Sequence, residues 1–492
     1  MDYKALQNGS DIRGIALEGV EGQHVNLTEE AVKDLSRGFV LWLQKKLGKE
    51  KVTVALGRDS RLSGPAILKA ASEAMTAEGA DVTVFGLAST PAMFMSTVGI
   101  DPGFCYDGAV MVTASHLPFN RNGLKFFIRT GGLEGADIKE IIAFAESDVH
   151  TGLPAGSCDE KAFMPVYSKY LADKIRESAG SDRPLEGLHI IVDAGNGAGG
   201  FFASEVLVPL GADIEGSQFL EPDGRFPNHI PNPENKDAMA SIQAAVLATK
   251  ADLGIIFDTD VDRAGAVLPD GEELNRNRLI AMISAILLRD HPGAVIVTDS
   301  VTSTGLANFI REKGGVHHRF KRGYRNVINE SIRLNEEGRE SVLAMETSGH
   351  GALKENYFLD DGAYLMVKLL SEMARGRKEG YELASLIDTL KEPAEAAEFR
   401  MPITVPDFKA YGEQVLARLW EYASTKPSWS IAPDNFEGIR VNIGTGWFLL
   451  RLSLHEPLMP LNIEGDTPGD IRRIQAELAP FLDGCEGLTV TF

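Results

Sequence analysis

Three aspartates at alternate positions directly follow an apolar run in the segment LGIIFDTDVDR. Asp258, Asp260 and Asp262 lie so close together in the chain that their negative charges repel one another. A hard divalent cation is the usual compensation, and Mg²⁺ suits such a short all-oxygen set with an open position for a phosphate oxygen. An EF-hand is excluded, because Arg263 would replace the loop glycine and Pro269 the last glutamate. Arg263 beside the acids suggests that a phosphate is held near the metal, and the alternative is a solvated acidic turn.

A serine and a histidine stand side by side in the segment VTASHLPFNRNGLKFF. We expect Ser115 to follow a strand, Pro118 to stop regular pairing, and Asn122–Gly123 to form a tight turn that returns Lys125 towards the loop. A serine hydrolase would need a GxSxG elbow or a distant histidine base with an orienting acid, and the sequence shows neither. We do not expect the adjacent His116 to point at the serine oxygen. Ser115 is therefore a nucleophile, a phosphate carrier or a turn residue.

The segment ETSGH follows another apolar run and carries three polar side chains. Glu346 offers a carboxylate, Ser348 a hydroxyl and His350 an imidazole, with Gly349 as a hinge between the last two. A carboxylate and a hydroxyl two residues apart can grip adjacent sugar hydroxyls. The alternative is an ordinary surface turn.

A basic patch occurs in the segment RLSLHEP near the C-terminus. Arg451, Ser453 and His455 stand at alternate positions, with Arg440 upstream. This spacing puts the three side chains on one face of an extended segment. A fork-shaped guanidinium beside a hydroxyl is a good phosphate clamp, and the alternative is an edge strand with exposed polar residues.

The elements that must position these loops recur three times along the chain. Each copy has an apolar β-rich run, a turn, a helical pattern that ends in glycine, and a second apolar run. The copies begin at VTVAL, LHIIVD and AVIVTD, and their helical patterns end at Gly79, Gly211 and Gly314. This spacing predicts βα units of a largely parallel sheet. Each unit then reaches an apolar strand that enters a polar loop, and three such loops from repeated domains could converge on one cleft.

The C-terminal part follows a different pattern. Residues 391–407 are polar and contain proline, so we interpret them as a linker. Beyond them, GIRVNIGTGWFLLRLSL is typical of strands. Apolar residues at helical spacing predict a final helix in TPGDIRRIQAELAPFL, with Thr467 as its N-cap and Pro468 in its first turn. Together these elements predict a small α+β domain.

Length, charge and cysteine content limit the class of protein. The chain has 492 residues, 44% apolar and 24% charged, which is ordinary for a soluble globular protein of about three domains. Its net charge of -21 argues against non-specific binding of nucleic acid or anionic lipid. Cys105, Cys158 and Cys485 are scattered, so neither a disulfide framework nor a thiolate zinc site is supported. The N-terminus lacks a signal-peptide core, and the longest apolar run is too short for a membrane span, so we expect a cytoplasmic protein.

Taken in this order, the loops resemble those of the α-D-phosphohexomutase family, the phosphomannomutases and phosphoglucomutases. TASHLPFNRNGLK is similar to the family's phosphoserine loop, DTDVDR to its metal loop, ETSGH to its sugar-binding loop and RLSLHEP to its phosphate-binding loop. Further similarities are SDIRG, GRDSRLSG, DAGNGAG and PNPE. The resemblance covers essentially the whole chain. It implies an α/β fold of three similar mixed α/β domains plus a C-terminal TBP-like α+β domain, heart-shaped with a central cleft.

The resemblance also implies a division of labour among four domains. We expect a phosphoserine domain at residues 1–167, a metal-binding domain at 168–275, a sugar-binding domain at 276–395 and a phosphate-binding C-terminal domain at 396–492. Water must be kept from the phosphoserine, so we expect the last domain to close over the ligand about a hinge near residues 392–405.

The implied activity is a phosphohexomutase, an isomerase that interconverts hexose 1-phosphate and hexose 6-phosphate, of mannose or glucose or both. The reaction would run through a phosphoserine and a 1,6-bisphosphate intermediate. The expected cofactors are one Mg²⁺ per chain and hexose 1,6-bisphosphate as activator. The expected partner is the phosphorylated hexose, without nucleic acid or membrane, and the chain is expected to be a monomer or weak homodimer.

Carried over motif by motif, the resemblance implies a role for each site residue. The phosphoryl carrier is expected to be Ser115, which would hold Mg²⁺ together with Asp258, Asp260 and Asp262. The residues expected to stabilise the transferring group or to move protons are His116, Lys125, Arg13, Arg263 and His350. Those expected to bind the sugar or its non-reacting phosphate are Lys321, Gly323, Glu346, Ser348, Arg451, Ser453 and His455. The sequence departs from the family at Leu117, where asparagine is usual, and at Leu454 and His455, which replace Gly-Thr or Asn-Thr.

Three other functions stay open. Phosphoglucosamine mutase is the runner-up, although KENYFLDDG after SGH is more similar to the mannose/glucose branch. A haloacid-dehalogenase-type sugar-phosphate phosphatase is suggested by DTDVD, but that fold usually carries its motif near the N-terminus. A non-catalytic sugar-phosphate binding protein would retain bound ligand without forming a phosphoserine.

Overall fold

The computed structural model describes residues 2–453, 456–490 and 492. The chain divides into two compact units, Met1–Asn275 with Ser348–Ser385 and Arg276–Thr347 with Leu386–Phe492. Among the helices of the described residues, none combines the length and hydropathy of a transmembrane span.

The N-terminal sheet of the first unit is mixed. Its strands are β1 (Gln7–Asn8), β2 (Asp11–Ile15), β3 (Thr53–Arg58), β4 (Asp81–Leu87), β5 (Gly108–Val112), β6 (Arg121–Ile128), β7 (Gly131–Gly132) and β8 (Cys158–Glu160). Their order is β1-β2-β6-β5-β3-β4-β8, with β7 beside β6. The inner strands β5, β3 and β4 are parallel, whereas β6 runs antiparallel to β5 and to β2. The helices that accompany this sheet are α1 (Glu29–Leu47), α2 (Gly64–Ala77), α3 (Thr90–Val98), α4 (Gly135–Ala145) and α5 (Met164–Ala179), after a short 3₁₀ helix Tyr3–Leu6.

The limits of α1 follow from local chemistry. Thr28 caps its first turn by accepting a hydrogen bond from Ala31 N at 3.2 Å, and Gly48 ends it in the left-handed conformation at φ 63°. A Cβ at Gly38 would lie 2.4 Å from Ile141 O, so glycine allows α1 and α4 to pack at backbone distance. The apolar faces of α1, α2 and α4 bury the core of this domain against the sheet.

The second sheet lies in the same unit and consists of β9 (Ile190–Asp193), β10 (Leu253–Phe257), β11 (Ala264–Val267) and β12 (Glu273–Leu274), with helix α6 (Lys236–Thr249). The order is β12-β11-β10-β9, where β9 and β10 are parallel and β10 and β11 form an antiparallel hairpin. The helix predicted to end at Gly211 is a π-helical turn, Phe202–Leu207, followed by a 3₁₀ turn, Val208–Leu210. Gly211, at φ 96°, follows the last helical residue, so the predicted end of the helix is correct. The predicted α-helical type is wrong.

The third copy of the repeat lies mainly in the second unit. It comprises α7 (Arg276–Asp290), β13 (Val295–Thr298), α8 (Thr304–Glu312), β14 (Val316–Arg319), α9 (Tyr324–Glu336) and β15 (Ser341–Met345). Strands β14 and β15 flank β13 and run parallel to it, as the strand–helix–strand spacing predicts. The chain then returns to the first unit with a short antiparallel pair, β16 (Gly351–Leu353) and β17 (Leu359–Asp360), a 3₁₀ turn Lys354–Asn356 between them, and helix α10 (Gly362–Glu379).

The C-terminal domain of the second unit is an antiparallel sheet with two helices. Its elements are β18 (Glu395–Pro402), α11 (Phe408–Ser424), β19 (Trp429–Ile431), β20 (Ile439–Ile443), β21 (Gly446–Leu450), β22 (Leu458–Gly465) and α12 (Asp470–Leu482), after a 3₁₀ turn Leu383–Ile387. The strand order is β18-β22-β21-β20-β19, and α11 and α12 contribute to one apolar core with the sheet. The prediction of a sheet-containing α+β domain is confirmed.

Two local predictions for this domain are wrong. Strand β18 lies inside residues 391–407, the predicted linker, and pairs with β22 along its whole length. Alternate residues of this edge strand are exposed, so its apolar content is too low to stand out in the sequence. Helix α12 starts at Asp470, and Thr467 is not its N-cap. Instead, the Asp470 carboxylate accepts hydrogen bonds from Thr467 N at 3.0 Å and from Thr467 Oγ1 at 2.9 Å.

Candidate active site

The side chain of Ser115 is buried just beyond the carboxyl end of β5. The strand ends at Val112, and residues 113–121, here called the serine loop, lead into β6. Ser115 has a left-handed backbone conformation at φ 52°, and its amide donates to Thr113 Oγ1 at 2.9 Å. Such conformations are uncommon outside glycine and cluster at functional sites. Ser115 is 1% exposed, so the serine loop holds its hydroxyl inside the protein.

Residues 258–262, the aspartate loop, connect β10 to β11. Asp258, Asp260 and Asp262 are all buried, and one carboxylate oxygen from each lies within 4.8 Å of the others. Arg263 N donates to Asp258 Oδ1 at 3.2 Å, and Thr90 Oγ1 donates to Asp260 Oδ2 at 2.5 Å. These contacts fix the orientation of carboxylates that would otherwise repel one another.

The serine loop and the aspartate loop meet within the first unit. Ser115 Oγ donates to Asp258 Oδ2 at 3.2 Å, although the two loops leave strands of different sheets. His116 Nδ1 lies 3.2 Å from the same Oγ, so the expectation that the adjacent histidine points elsewhere is wrong. The left-handed turn at Ser115 breaks the alternation of an extended chain and brings both side chains to one side.

The aspartate loop fits a divalent cation. Asp260 Oδ1 and Asp262 Oδ1 are buried and accept no hydrogen bond from any described residue. Buried carboxylate oxygens without donors are costly, and a set made only of oxygens suits Mg²⁺. Burial, followed by the negative charges of Asp262 and Asp260, raises the pKa of Asp258 well above its usual range. A divalent cation bound here would offset this excess of negative charge.

Lys125 brings a positive charge to the aspartate loop from β6. Its Nζ lies 2.5 Å from Asp262 Oδ2 and 3.0 Å from Asp260 Oδ2, and its side chain is buried. Burial raises the pKa of Asp262, but the charges of Lys125 and Arg263 outweigh it and lower that pKa to about 2. The carboxylate is therefore held ionised, in the form that binds a cation.

Asn122 and Gly123 lie inside strand β6, so the prediction of a tight turn at these residues is wrong. A Cβ at Gly123 would lie 2.2 Å from Ile12 O and 2.9 Å from Thr113 O. Glycine is required because two backbone segments approach it closely, and not because the chain reverses there. The strand then carries Lys125 to the aspartate loop.

Arg263 and His350 form a second buried contact beside the aspartate loop. Arg263 Nε donates to His350 Nε2 at 3.1 Å, and its Nη1 lies 3.5 Å from Glu234 Oε2. Burial, followed by the positive charges of Arg263 and Lys125, lowers the pKa of His350 well below its usual range. The neutral imidazole accepts through Nε2, so Nδ1 carries the hydrogen and faces Ser348 Oγ at 2.9 Å.

A second group of potential metal ligands, Asp262, His350 and Asp360, does not suit a cation. Their ligand atoms also lie within 4.8 Å of one another. However, the Nε2 lone pair of His350 already accepts from Arg263, whose guanidinium would repel a cation at that position. The aspartate loop is therefore the better metal site of the two.

Arg13 and His116 complete the polar groups of the first unit that the sequence predicts. Arg13 lies on β2 and donates from Nη2 to Asp11 Oδ2 at 3.0 Å. Burial, followed by the positive charges of Arg263 and Arg13, lowers the pKa of His116 to about 3. The imidazole beside Ser115 Oγ is therefore neutral.

The predicted sugar-binding residues of the second unit meet at the start of α9. Gly323 N donates to Glu346 Oε1 at 2.6 Å, and Glu346 is buried. Gly323 has φ 114° and a Cβ there would lie 2.9 Å from Asn326 Nδ2, so another residue would be strained. Lys321 is exposed, with its ammonium 6.0 Å from the ring centroid of Phe320.

Arg451 and Ser453 follow β21 in the second unit. The Arg451 side chain is largely buried, with its guanidinium 3.6 Å from Glu437 Oε1 and 3.9 Å from Glu398 Oε2. The carboxylates of Glu437 and Glu398 thus orient the Arg451 guanidinium. His455 lies outside the described residues.

Glu437 is a residue that sequence reasoning missed. Its Oε2 accepts from Ser300 Oγ at 2.8 Å and from Arg322 N at 2.9 Å, and its Oε1 faces Arg451. It therefore links the loop before α9 to the arginine that follows β21. A single glutamate before a glycine carries no recognisable pattern, so the sequence gives no signal for it.

Arg440, which the sequence groups with the basic patch, is structural. Its guanidinium stacks over Trp447 at 3.4 Å from the ring centroid, and its Nη1 donates to Ser300 O at 3.1 Å and Thr302 O at 3.0 Å. It is 3% exposed, and the two hydrogen bonds of Nη1 both go to protein carbonyls.

Comparison with known protein families gives three matches along the chain. The models of phosphoglucomutase/phosphomannomutase alpha/beta/alpha domains I, II and III match residues 4–150, 165–271 and 275–390. The chain belongs to the phosphoglucomutase/phosphomannomutase family. The family and fold class that the loop motifs predict, α-D-phosphohexomutase with three α/β domains and a fourth domain, are thus confirmed.

Individual relatives of this family cover nearly the whole chain. A phosphoglucomutase of Neisseria gonorrhoeae is 31% identical over 94% of this chain and 94% of its own. A phosphomannomutase/phosphoglucomutase of Pseudomonas aeruginosa is 29% identical over 88% of this chain and 89% of its own. The crystal structure of a family protein from Burkholderia thailandensis superimposes with a TM-score of 0.82 at 27% identity, covering 99% of this chain and 98% of that one.

Proposed function

We propose that the protein is a phosphohexomutase, which interconverts the 1-phosphate and 6-phosphate of mannose and glucose through a phosphoserine at Ser115. The observation that carries the proposal is the contact of Ser115 Oγ with Asp258 at 3.2 Å, beside buried aspartate oxygens that no described residue reaches with a hydrogen bond. A hydroxyl against a cation site is the arrangement that storage of a phosphoryl group requires. Family membership and the names of the relatives support the same activity.

The reaction consists of two phosphoryl transfers in opposite directions. In the first, the bond between phosphorus and Ser115 Oγ breaks while a bond forms to O6 of a hexose 1-phosphate, and the O6 proton passes through an imidazole to the departing Oγ. In the second, Ser115 Oγ attacks the phosphorus at C1 of the resulting 1,6-bisphosphate, the bond from that phosphorus to O1 breaks, and the Oγ proton passes to O1 of the departing hexose 6-phosphate. We assign the proton transfers at Oγ to His116, which is neutral and lies 3.2 Å away.

Charge balance explains the remaining groups of the first unit. Mg²⁺, held by Asp258, Asp260 and Asp262, would withdraw negative charge from the transferring phosphoryl group. Lys125 and Arg263 supply fixed positive charge at the same place, and Arg263 is oriented by its bond to His350. Phosphoryl transfer depends mainly on positioning and charge stabilisation, so these side chains suffice without a further nucleophile.

Substrate recognition is assigned to the second unit together with Ser348. Glu346, beside Gly323 N, and Ser348 would bind sugar hydroxyls, with Lys321 nearby in the chain. Arg451, Ser453 and His455 would hold the phosphate that does not react. The bisphosphate must be used in both orientations. Because it can give a phosphoryl group to Ser115, hexose 1,6-bisphosphate is proposed as activator. The domain limits 1–167, 168–275, 276–395 and 396–492 remain part of this proposal.

The sugar and the setting of the enzyme are also proposals. We propose mannose and glucose as substrates, with glucosamine as the alternative, because the relatives described above are named phosphoglucomutase and phosphomannomutase/phosphoglucomutase. A cytoplasmic location fits the three free cysteines, since thiols stay reduced there. We propose a monomer or weak homodimer with no nucleic-acid or membrane partner.

Ser115→Ala tests the proposal. We expect the variant to lose detectable conversion of mannose 1-phosphate and glucose 1-phosphate, and intact-mass analysis to show that it cannot take up a phosphoryl group from glucose 1,6-bisphosphate. Ser430→Ala, at an exposed position of β19, serves as the matched control and should behave like the unmodified protein. Turnover of Ser115→Ala close to normal would refute the covalent role.

Two measurements separate the rival functions. Comparison of turnover on mannose, glucose and glucosamine 1-phosphates distinguishes the sugar classes. A phosphatase would release inorganic phosphate in step with substrate loss, whereas a mutase releases almost none.

A further inference from the structure

The turn that follows β3 holds an arginine whose whole guanidinium is buried. The segment GRDSR ends in Arg61, and this side chain is 0% exposed although arginine is rarely fully buried. Its hydrogen bonds within the described part of the chain go to Asp59 and to the serine loop, and not to the aspartate loop. Its role is therefore not explained by the proposed reaction.

Arg61 directs every one of its N–H groups at an oxygen. A guanidinium has five such donors in a rigid fork. Nε donates to Asp59 Oδ2 at 3.2 Å, and Nη1 donates to Pro118 O at 2.7 Å and to Arg121 O at 3.0 Å. Nη2 donates to Leu117 O at 2.6 Å and to Ser115 O. Four of the five acceptors are thus backbone carbonyls of the serine loop.

The serine loop needs such a donor set. It is irregular, and Ser115 is left-handed, so a regular strand or helix ladder satisfies few of its carbonyls, although Pro118 O also accepts from Arg121 N at 3.0 Å. Leaving buried carbonyls without donors costs free energy comparable to that of the lost hydrogen bonds. A lysine has three donors on a single nitrogen and cannot span carbonyls spread over seven positions of the chain, from 115 to 121.

Asp59 fixes the guanidinium from the opposite side. Its Oδ1 accepts from Arg61 N at 2.9 Å, and its Oδ2 accepts from Thr113 Oγ1 at 2.7 Å. Thr113 Oγ1 in turn accepts from Ser115 N. The contacts close a ring in which the carbonyl of Ser115 is held by Arg61 and its amide, through Thr113, by Asp59.

The second domain of the same unit closes over this turn. The Arg61 guanidinium lies 5.3 Å from the ring centroid of Phe226, and a Cβ at Gly224 would lie 2.5 Å from both Leu62 N and Ser60 O. The turn is therefore clamped against the domain that carries the aspartate loop. Anything that displaces Arg61 would shift Ser115 relative to Asp258.

We propose that Arg61 is a positioning residue, which sets the serine loop so that Ser115 Oγ faces the aspartate loop. The inference rests on the proposed function, because it concerns the transfer step at Ser115. It adds a residue that acts through the loop backbone and touches neither substrate nor metal. Misplacement of a reacting atom by about 1 Å can cost about 100-fold in rate, which is the size of effect expected.

The test replaces Arg61 by lysine and measures kcat and KM separately. We expect Arg61→Lys to lower kcat for glucose 1-phosphate by about 100-fold while KM stays within about threefold, because substrate contacts are unchanged. Phosphorylation of Ser115 by glucose 1,6-bisphosphate, followed by intact-mass analysis, should slow by a similar factor. The matched control is Arg58→Lys in the same turn, where the guanidinium donates to Asp59 O and does not reach the serine loop; it should keep normal kcat.

A merely structural role gives a different result. In that case Arg61→Lys would lower thermal stability, but each folded molecule would keep normal kcat and phosphorylation rate, and the inference would be overturned. If Arg61→Lys does not fold, Asp59→Asn replaces it, since the amide removes the charge that orients Nε and keeps the shape. A lower kcat at constant KM supports the inference, and an unchanged kcat overturns it.

Failure of this inference is distinguishable from failure of the proposed function. Loss of activity in Ser115→Ala together with normal kcat in both Arg61→Lys and Asp59→Asn rejects the positioning role alone. Normal activity in Ser115→Ala rejects the phosphoserine mechanism and the positioning role with it.

Discussion

Lys125 Nζ lies 2.5 Å from Asp262 Oδ2, so an ammonium group carried by a β-strand faces the aspartate loop. The same nitrogen contacts Asp260 at 3.0 Å. The lysine and a divalent cation would therefore be stabilised by the same carboxylates. The charge of Lys125 should therefore contribute most to stability when no cation is bound, and the cation should contribute most when Lys125 is replaced.

Replacement of Lys125 by methionine tests this relationship. We expect the free energy of unfolding to fall by about 3 kcal/mol in EDTA, because the change leaves buried carboxylates without their paired charge. In excess Mg²⁺ the loss should be smaller, since the cation replaces the missing charge, while kcat should still fall. Thermal denaturation with EDTA and with Mg²⁺ measures both states.

The control for Lys125→Met is Lys33→Met. Lys33 lies on α1 and pairs with Glu29 at the surface, so its removal should change stability little and independently of Mg²⁺. An equal loss of stability for Lys125→Met in EDTA and in Mg²⁺ would contradict the shared use of the carboxylates.

The contact of Arg263 with His350 leads to a second prediction. His350→Gln keeps an acceptor within reach of Arg263 Nε, whereas His350→Phe removes it and leaves a buried guanidinium donor without this partner. A lost hydrogen bond to a charged group costs about 1.5–3 kcal/mol, so kcat/KM should fall about 10–100-fold further in the phenylalanine variant than in the glutamine variant. Steady-state assays with glucose 1-phosphate compare the two. Equal activities would show that the imidazole does not act by orienting Arg263.

The repeated α/β domains were predictable because each depends on short-range pattern. Apolar runs, helical spacing and terminal glycines such as Gly79 act within one segment, and the structure forms strands and helices at those places. The positions of Ser115 and Asp258 beyond the ends of β5 and β10 follow from the same pattern. The repeat pattern allowed these loops to converge, but their meeting was implied by the family resemblance, because the two loops leave different sheets.

The local predictions fail where residues distant in the chain determine the structure. The pair Asn122–Gly123 is typical of a turn. However, glycine is needed at position 123 because Ile12 O and Thr113 O leave no room for a Cβ. Arg440 lies upstream of the predicted phosphate clamp, and the sequence gives no sign that its guanidinium stacks on Trp447 and donates to two carbonyls. Arg61 shows no function in the sequence, because its acceptors become visible only after the serine loop has folded around it.

Arg451 allows a prediction about substrate binding. Its guanidinium is held near Glu437 and Glu398, so it is oriented before a ligand arrives. We expect Arg451→Met to raise KM for hexose 1-phosphates at least about 10-fold, because a charge-assisted bond to phosphate is lost. Initial-rate kinetics over a range of substrate concentrations measure the change. Arg472→Met, which removes an exposed arginine of α12, is the control, and an unaltered KM in Arg451→Met would exclude the phosphate-clamp role.

The buried pair His229–Asp193 makes stability depend on pH. His229 Nε2 lies 3.0 Å from each Asp193 carboxylate oxygen, and its Nδ1 lies 3.0 Å from Ile230 O, so both nitrogens face acceptors. Burial lowers the pKa of His229, but the hydrogen bond and charge of Asp193 outweigh it, and the net pKa is raised. The folded state therefore binds the proton more tightly than the unfolded state. The stabilisation that this proton gives is complete below the pKa of His229 in the unfolded state, about 6.5. It is lost as the pH rises through the pKa of His229 in the folded state.

We therefore expect the thermal midpoint to fall as the pH rises from about 6.5 through the raised pKa of folded His229, with a contribution of up to about 1.4 kcal/mol per pH unit from this proton. His229→Asn removes the titrating group, so the variant should be less stable at pH 6 and should show a flatter pH dependence. Differential scanning fluorimetry across this range gives the slopes. His24→Asn, at an exposed histidine, should keep the slope of the unmodified protein, and an identical slope in His229→Asn would show that the pair does not carry the linkage.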